Sequence, residues 1–251
     1  MPMLSDITLA FVLAHVLADY HLQNQSLARR KATGTRAMLW HSGIVAALAL
    51  LAAILLILRG GDWALLAIAA AMALLHLVVD IIKRAASGAL RKREQNRSST
   101  AHAALYVADQ ALHLLLILAL VEGVYLRCLG FPAVATGHRH ILQGALLLAL
   151  ITKPANVSFK MLFAKYQLAP AHAAPQTEPG AGALIGTLER IITALFIYLG
   201  QYGAIGLIYT AKSIARFKQI EDNPRFAEYY LIGTLYSILF VVLAYHIVKA
   251  L

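Results

Sequence analysis

Histidine and aspartate recur four residues apart inside stretches that are otherwise apolar. His15 and Asp19 stand in AHVLADYHLQ, His76 and Asp80 in LLHLVVDIIK and, in reverse order, Asp109 and His113 in VADQALHLLL. That spacing is close to one helical turn, so each pair shares a helix face. His41 opens a further apolar run. Imidazole and carboxylate are the usual ligands of zinc, manganese and iron, and such ions activate water for attack on a phosphoryl or acyl centre.

Packing accounts poorly for this set. An Asp at the centre of a membrane helix costs about 2.5–3.5 kcal/mol on insertion scales, so Asp19, Asp80 and Asp109 require compensation. Two divalent cations, three carboxylates and one bridging hydroxide sum to neutrality, and four neutral imidazoles fill the remaining coordination positions. One or two divalent metals (zinc, manganese or iron) are therefore expected. Taken singly, each residue is equally a hydrogen-bonding partner for a neighbouring helix. Intramembrane Asp and His chains also build proton or ion pathways.

The elements that must carry these residues are membrane helices. Of 251 residues, 60% are hydrophobic and 14% charged, against roughly 25% charged in soluble proteins. Apolar stretches fall near 4–22, 38–58, 63–82, 103–121, 141–151, 183–199, 203–215 and 229–248. Several reach the length of about 20 residues that crosses a bilayer as helix. The expected fold is all-α, a polytopic membrane helical bundle of about seven or eight transmembrane helices. Three regions are expected: a four-helix His/Asp bundle over 1–125, a kinked helix and cytoplasmic linker over 126–181, and C-terminal helices with a basic cluster over 182–251. A single cysteine, Cys128, excludes a disulfide framework. The net charge of +10 fits loops facing anionic membrane lipid rather than nucleic acid.

Charge orients the bundle. Loop 24–37 holds Arg29, Arg30, Lys31 and Arg36 without an acid, and loop 83–100 is rich in Lys and Arg, whereas 59–62 carries only Arg59 and Asp62. By the positive-inside rule the two basic loops are cytoplasmic and the N-terminus lies outside. All seven His and Asp residues then fall near one depth, on the cytoplasmic side of an inner (plasma) membrane.

Other polar residues extend the set. Gln23 and Gln110 adjoin the ligand candidates and are read as orienting them or binding substrate. Lys83, one turn past Asp80, neutralises a carboxylate, contacts an anion or snorkels to the inner leaflet. Loop 126–140 reads as an external turn. Pro154, beside Lys153, breaks the helix begun at 141, and the Pro-rich 167–181 reads as a linker. The long apolar run after 182 splits at Gly200–Gly203, returning Lys212 and Arg216 to the cytoplasmic side. Glu189 and Arg190 pair with each other or across helices. Lys153, Glu189, Arg190, Lys212 and Arg216 form either a basic belt at the inner leaflet or a pocket for a phosphate or carboxylate.

The order F-x-x-x-H-x-x-x-D-x-x-x-Q from Phe11 to Gln23, then His41, His76 and Asp80 with Lys83, then Asp109, Gln110 and His113, resembles an uncharacterised bacterial inner-membrane family. That family is catalogued as domain of unknown function 3307. The resemblance covers residues 5–125, and LERIITALF, AKSIARF and EYYLIGTLYS look like its longer members. The spaced pairs are more loosely similar to membrane-bound metal-dependent hydrolases. The expectation is a membrane-embedded metal-dependent hydrolase, working from the cytoplasmic face on a lipid-linked or phosphorylated substrate. The alternative is an ion or metal transporter that uses the same cluster, and a scaffold with a structural metal is a third reading.

Overall fold

The protein is described here from a computed structural model covering residues 4–93, 99–134, 137–167 and 180–251, without the side chains of 91–93 and 99. The linker expected over 167–181 lies almost wholly outside the described residues, as does Arg97 of the second basic loop.

Helix α1 (Asp6–Val16) starts at Ser5, whose hydroxyl accepts the Thr8 N–H. This satisfies one of the donors left open at a helix start. The helix continues as a π-helical segment, Leu17–Leu22, which contains Asp19. Asn24 then caps α2 (Gln25–Lys31), accepting the Leu27 N–H at 2.7 Å. The basic loop read at 24–37 thus encloses a short helix, because Asn24 supplies a cap where charge alone suggests coil. Helices α3 (Thr35–Ile57) and α4 (Ala64–Arg93) form an antiparallel pair. Helix α5 (Ser99–Leu118) continues as a π-helical segment through Cys128. With α6 (Arg139–Ile151) beginning at Arg139, the turn is shorter than the 126–140 expected.

The chain breaks at Thr152 and resumes as α7 (Lys153–Leu162) with Pro154 in its first turn, where proline's missing N–H is not needed. Then come α8 (Ala181–Tyr198), α9 (Tyr202–Ala215), the short α10 (Phe217–Asp222) and α11 (Pro224–Ala250). Helices α8 and α9 are separated at Gly200, whose φ of +70° ends the first of them.

Every one of the eight apolar stretches is helical. Among the described residues, six helical spans are long and apolar enough to cross a membrane: Thr35–Ile57, Ala64–Leu90, Thr100–Cys128, Arg139–Leu162, Ala181–Tyr198 and Pro224–Ala250. The shorter α1 and α9 complete the apolar set. The chain is a helical membrane protein. It divides into two compact units, Met1–Ala149 with Ala250–Leu251, and Leu150–Lys249.

In the first unit α1, α3, α4 and α5 pack around a core that includes Ile7, Phe11, Leu65, Val121 and Tyr125, all without solvent exposure. These residues occupy the half of the bundle that holds the α3–α4 turn. In that turn Gly61 approaches its neighbours closely: a Cβ there would lie 2.8 Å from Leu65 Cδ1 and 2.9 Å from the Leu56 carbonyl oxygen. The backbone oxygen cannot yield as a side chain would. Gly61→Ala is expected to destabilise the unit by about 1–3 kcal/mol. Gly43→Ala, where nothing lies within 4 Å, should be neutral or stabilising. Thermal unfolding of the two variants in detergent measures the contrast.

Candidate metal centre

Four helices bring His15, Asp19, His41, His76, Asp80, Asp109 and His113 together at the end of the bundle opposite the α3–α4 turn. Helix α1 and its π-helical extension carry His15 and Asp19, α3 carries His41, α4 carries His76 and Asp80, and α5 carries Asp109 and His113. The antiparallel arrangement sets the common depth: the site lies at the C-terminal end of α1, near the start of α3 and partway along α4 and α5. The π-helical segment changes the register after Val16, so Asp19 is placed by a wider turn than the simple α-helical face of the sequence pattern. Such segments are frequent at functional sites.

The tightest part is a quartet. His41 Nε2 stands 3.2 Å from His76 Nε2, 3.2 Å from Asp19 Oδ1 and 3.7 Å from Asp80 Oδ2. His76 Nε2 stands 3.3 Å from Asp19 Oδ1 and 3.4 Å from Asp80 Oδ2. A tetrahedron with bonds of roughly 2.0–2.1 Å, as zinc forms with nitrogen and oxygen, has edges of about 3.3–3.4 Å. Four of these five distances fall within about 0.2 Å of that length and the fifth is 3.7 Å, so the quartet is compatible with a tetrahedral divalent ion. Three members are buried, His41 at 0% exposure and Asp80 at 2%, and Asp19 is partly buried.

The remaining residues adjoin it. The imidazoles form a cluster: ring centroids of His15, His76 and His113 make a triangle with sides of 4.2, 5.0 and 5.6 Å, and His41 lies 5.3 Å from His76. Ligand atoms of Asp80, Asp109 and His113 lie within 4.8 Å of one another. Asp19 Oδ1, Asp80 Oδ1, Asp109 Oδ1, His15 Nε2 and His113 Nε2 are buried without a hydrogen-bond partner among the described residues. Native interiors seldom leave such groups unsatisfied. Several acceptors left open in one place are what a cation requires.

Two lysines share the compensation, and one was not singled out in the sequence. Lys31 Nζ lies 2.7 Å from Asp80 Oδ2; it sits in the last turn of α2, so the Asn24 cap is the local signal that could have directed it there. Lys83 donates to Asp109 Oδ2 at 2.5 Å, crossing from α4 to α5. Gln110 Nε2 donates to Asp109 Oδ2 at 2.9 Å and more weakly to Asp19 Oδ2 at 3.4 Å. Gln23 Oε1 accepts from Lys31 at 3.4 Å. At the same end Tyr20 and Tyr106 join hydroxyl to hydroxyl at 2.7 Å, a pair that sequence reasoning missed although each tyrosine lies within a turn of a ligand candidate. These ammonium groups change the charge balance. Three carboxylates, two lysines, one divalent ion and one hydroxide are already neutral.

The basic residues of the C-terminal half belong to the second unit. Glu189 pairs with Lys212 on α9 at 2.7 Å rather than with its neighbour Arg190. Arg190, 3% exposed, donates to the carbonyls of Ile151 at 2.5 Å and Thr152 at 3.4 Å, where the α6–α7 break frees them, and to Asn156 Oδ1 at 2.8 Å. Arg216 donates to Gln219 at 2.8 Å. Lys153 is exposed at the start of α7.

The chain belongs to the family described as protein of unknown function (DUF3307), whose family model matches residues 7–142. No curated protein and no solved structure matches it. The matched span contains all seven His and Asp residues together with Lys31, Lys83 and Gln110.

Removing one partner of a buried ion pair strands the other charge, at a cost of about 3–5 kcal/mol. Lys31→Met is therefore expected to lower the unfolding temperature strongly in chelator, with added zinc recovering part of the loss. Lys83→Met should cost less, since that side chain is 34% exposed. Thermal melts in detergent with and without zinc read both outcomes.

Proposed function

We propose that this member of the family is a membrane-embedded, metal-dependent hydrolase acting from the cytoplasmic face of the inner membrane on a lipid-linked or phosphorylated substrate. The observation that carries the reading is the quartet of Asp19, His41, His76 and Asp80, spaced as the corners of a tetrahedral divalent site. The charge balance favours a single ion, with zinc the best match to the spacing and manganese or iron the alternatives. When bound, the ion supplies a Lewis acid that acidifies water and polarises a phosphoryl or acyl oxygen.

The chain's own residues would do the rest. His15, His76 and His113 bound a cavity of about 20 Å³, enough for one water. The Nδ1–H of His113 donates to the Asp109 carbonyl at 2.8 Å. In the neutral ring this leaves Nε2 as a bare lone pair, suited to take a proton from that water. Lys31 fixes Asp80, and Lys83 with Gln110 fixes Asp109. Lys83, the more exposed lysine, is placed to meet an incoming anion first. The basic residues at the same end, Arg84 included, support a cytoplasmic orientation with the N-terminus outside.

The cluster of four buried imidazoles beside three carboxylates favours a second reading, an ion or metal transporter using the same cluster. Against a conduit stands the apolar core in the other half of the bundle, where Ile7, Phe11, Leu65, Val121 and Tyr125 pack without solvent exposure.

Purified protein is expected to hold about one equivalent of divalent metal by elemental analysis, lost in His41→Ala and Asp80→Ala. His113→Ala should keep the metal while hydrolysis of a lipid phosphate falls by roughly 10²–10⁴. Metal uptake into proteoliposomes without hydrolysis overturns the enzyme in favour of the carrier.

A further inference from the structure

The second unit forms an open cleft of about 850 Å³ between α7, α8, α9 and α11, within the range of small-molecule sites. Its charge is unbalanced. Arg190, Lys212, Arg216 and Lys160 line it, with Glu189 as the acid among the lining residues. Lys212 is already paired with Glu189, whereas Arg190 and Arg216 are not paired with any carboxylate among the described residues. The partners of Arg190 are all neutral oxygens, those of Ile151, Thr152, Asn156, Thr187 and Ser237. A guanidinium this buried without a counter-ion is costly, and an anion entering the cleft would relieve the cost.

The rest of the wall is mainly small, apolar and aromatic, with Asn156, Thr234 and Ser237 as its neutral polar members. Phe159 faces Tyr229, with ring centroids 5.6 Å apart, and Lys212 Nζ lies 5.1 Å from the centre of the Tyr230 ring. Glycines keep the space open: a Cβ at Gly186 would stand 3.3 Å from Arg190 Nη1, and one at Gly233 would stand 3.3 Å from Phe159 Cζ. Planar guanidiniums recognise phosphate through paired hydrogen bonds, and an apolar wall of this size suits a hydrocarbon chain.

We propose that the C-terminal unit binds an anionic, phosphate-headed lipid in this cleft, with Arg190 and Arg216 on the phosphate and the Phe159–Tyr229–Tyr230 wall on the chains. The site owes nothing to the metal centre, so failure of the hydrolase reading leaves it intact.

The test titrates the full chain in detergent micelles with dioleoyl phosphatidic acid and counts bound lipid by native mass spectrometry. Saturable binding of one lipid per chain is expected, weakened roughly tenfold in Arg190→Gln, as loss of a charged hydrogen bond implies. Arg216→Gln, at a partly exposed position, should weaken it too; a normal elution profile and melting temperature separate lost binding from lost fold. Dioleoylglycerol, which lacks the phosphate, should fail to compete. Competition by dioleoylglycerol at equal concentration, or wild-type affinity in both folded variants, overturns the proposal. Displacement of the lipid by equimolar inorganic phosphate overturns the amphiphilic occupant.

Discussion

Three carboxylates held inside an apolar helix bundle form the constraint on which the first unit depends. Asp19, Asp80 and Asp109 sit where water does not reach, and an ionised carboxylate in such a place is tolerated only with cations or donors around it. The chain provides two ammonium groups, from Lys31 and Lys83, one amide, from Gln110, and a cluster of imidazoles. Each of these compensating groups is delivered by a backbone feature. A capped short helix brings Lys31, a π-helical turn sets Asp19, and the pairing of α4 with α5 brings Lys83 across to Asp109.

Much of this was legible in the sequence, for a chemical reason. Asp and His cannot be mistaken for packing residues in a helix of Ala and Leu, so their spacing announces a shared face before any coordinates exist. The common depth followed from alternating helix direction alone. Both inferences rest on local periodicity and on charge asymmetry between loops, which survive without knowledge of packing. The family match over 7–142 covers the same ground.

What was not legible depends on contacts between distant segments. Lys31 looks like any other charge in a basic loop until the Asn24 cap turns that loop into helix. The partner of Lys83 is chosen by how α4 and α5 lie together, not by its nearness to Asp80 in the chain. In the second unit Glu189 and Arg190 are adjacent, yet adjacent helical residues point in different directions. One therefore meets Lys212 across the Gly200 turn, and the other meets the carbonyls freed at the α6–α7 break. The proline that breaks the helix was evident from sequence; the arginine that takes up the exposed carbonyls was not.

Lys83 also has a consequence for how many ions the first unit can take up. Its ammonium group is tethered beside Asp109, so it acts as a built-in competitor whose local concentration is fixed by the length of its own stem. Any second ion must displace that group, just as an ion in the quartet must share Asp80 with the Lys31 ammonium. Occupancy of each position is thereby set against a tethered cation, and the nuclearity of the centre becomes a property of its surroundings as well as of the fold.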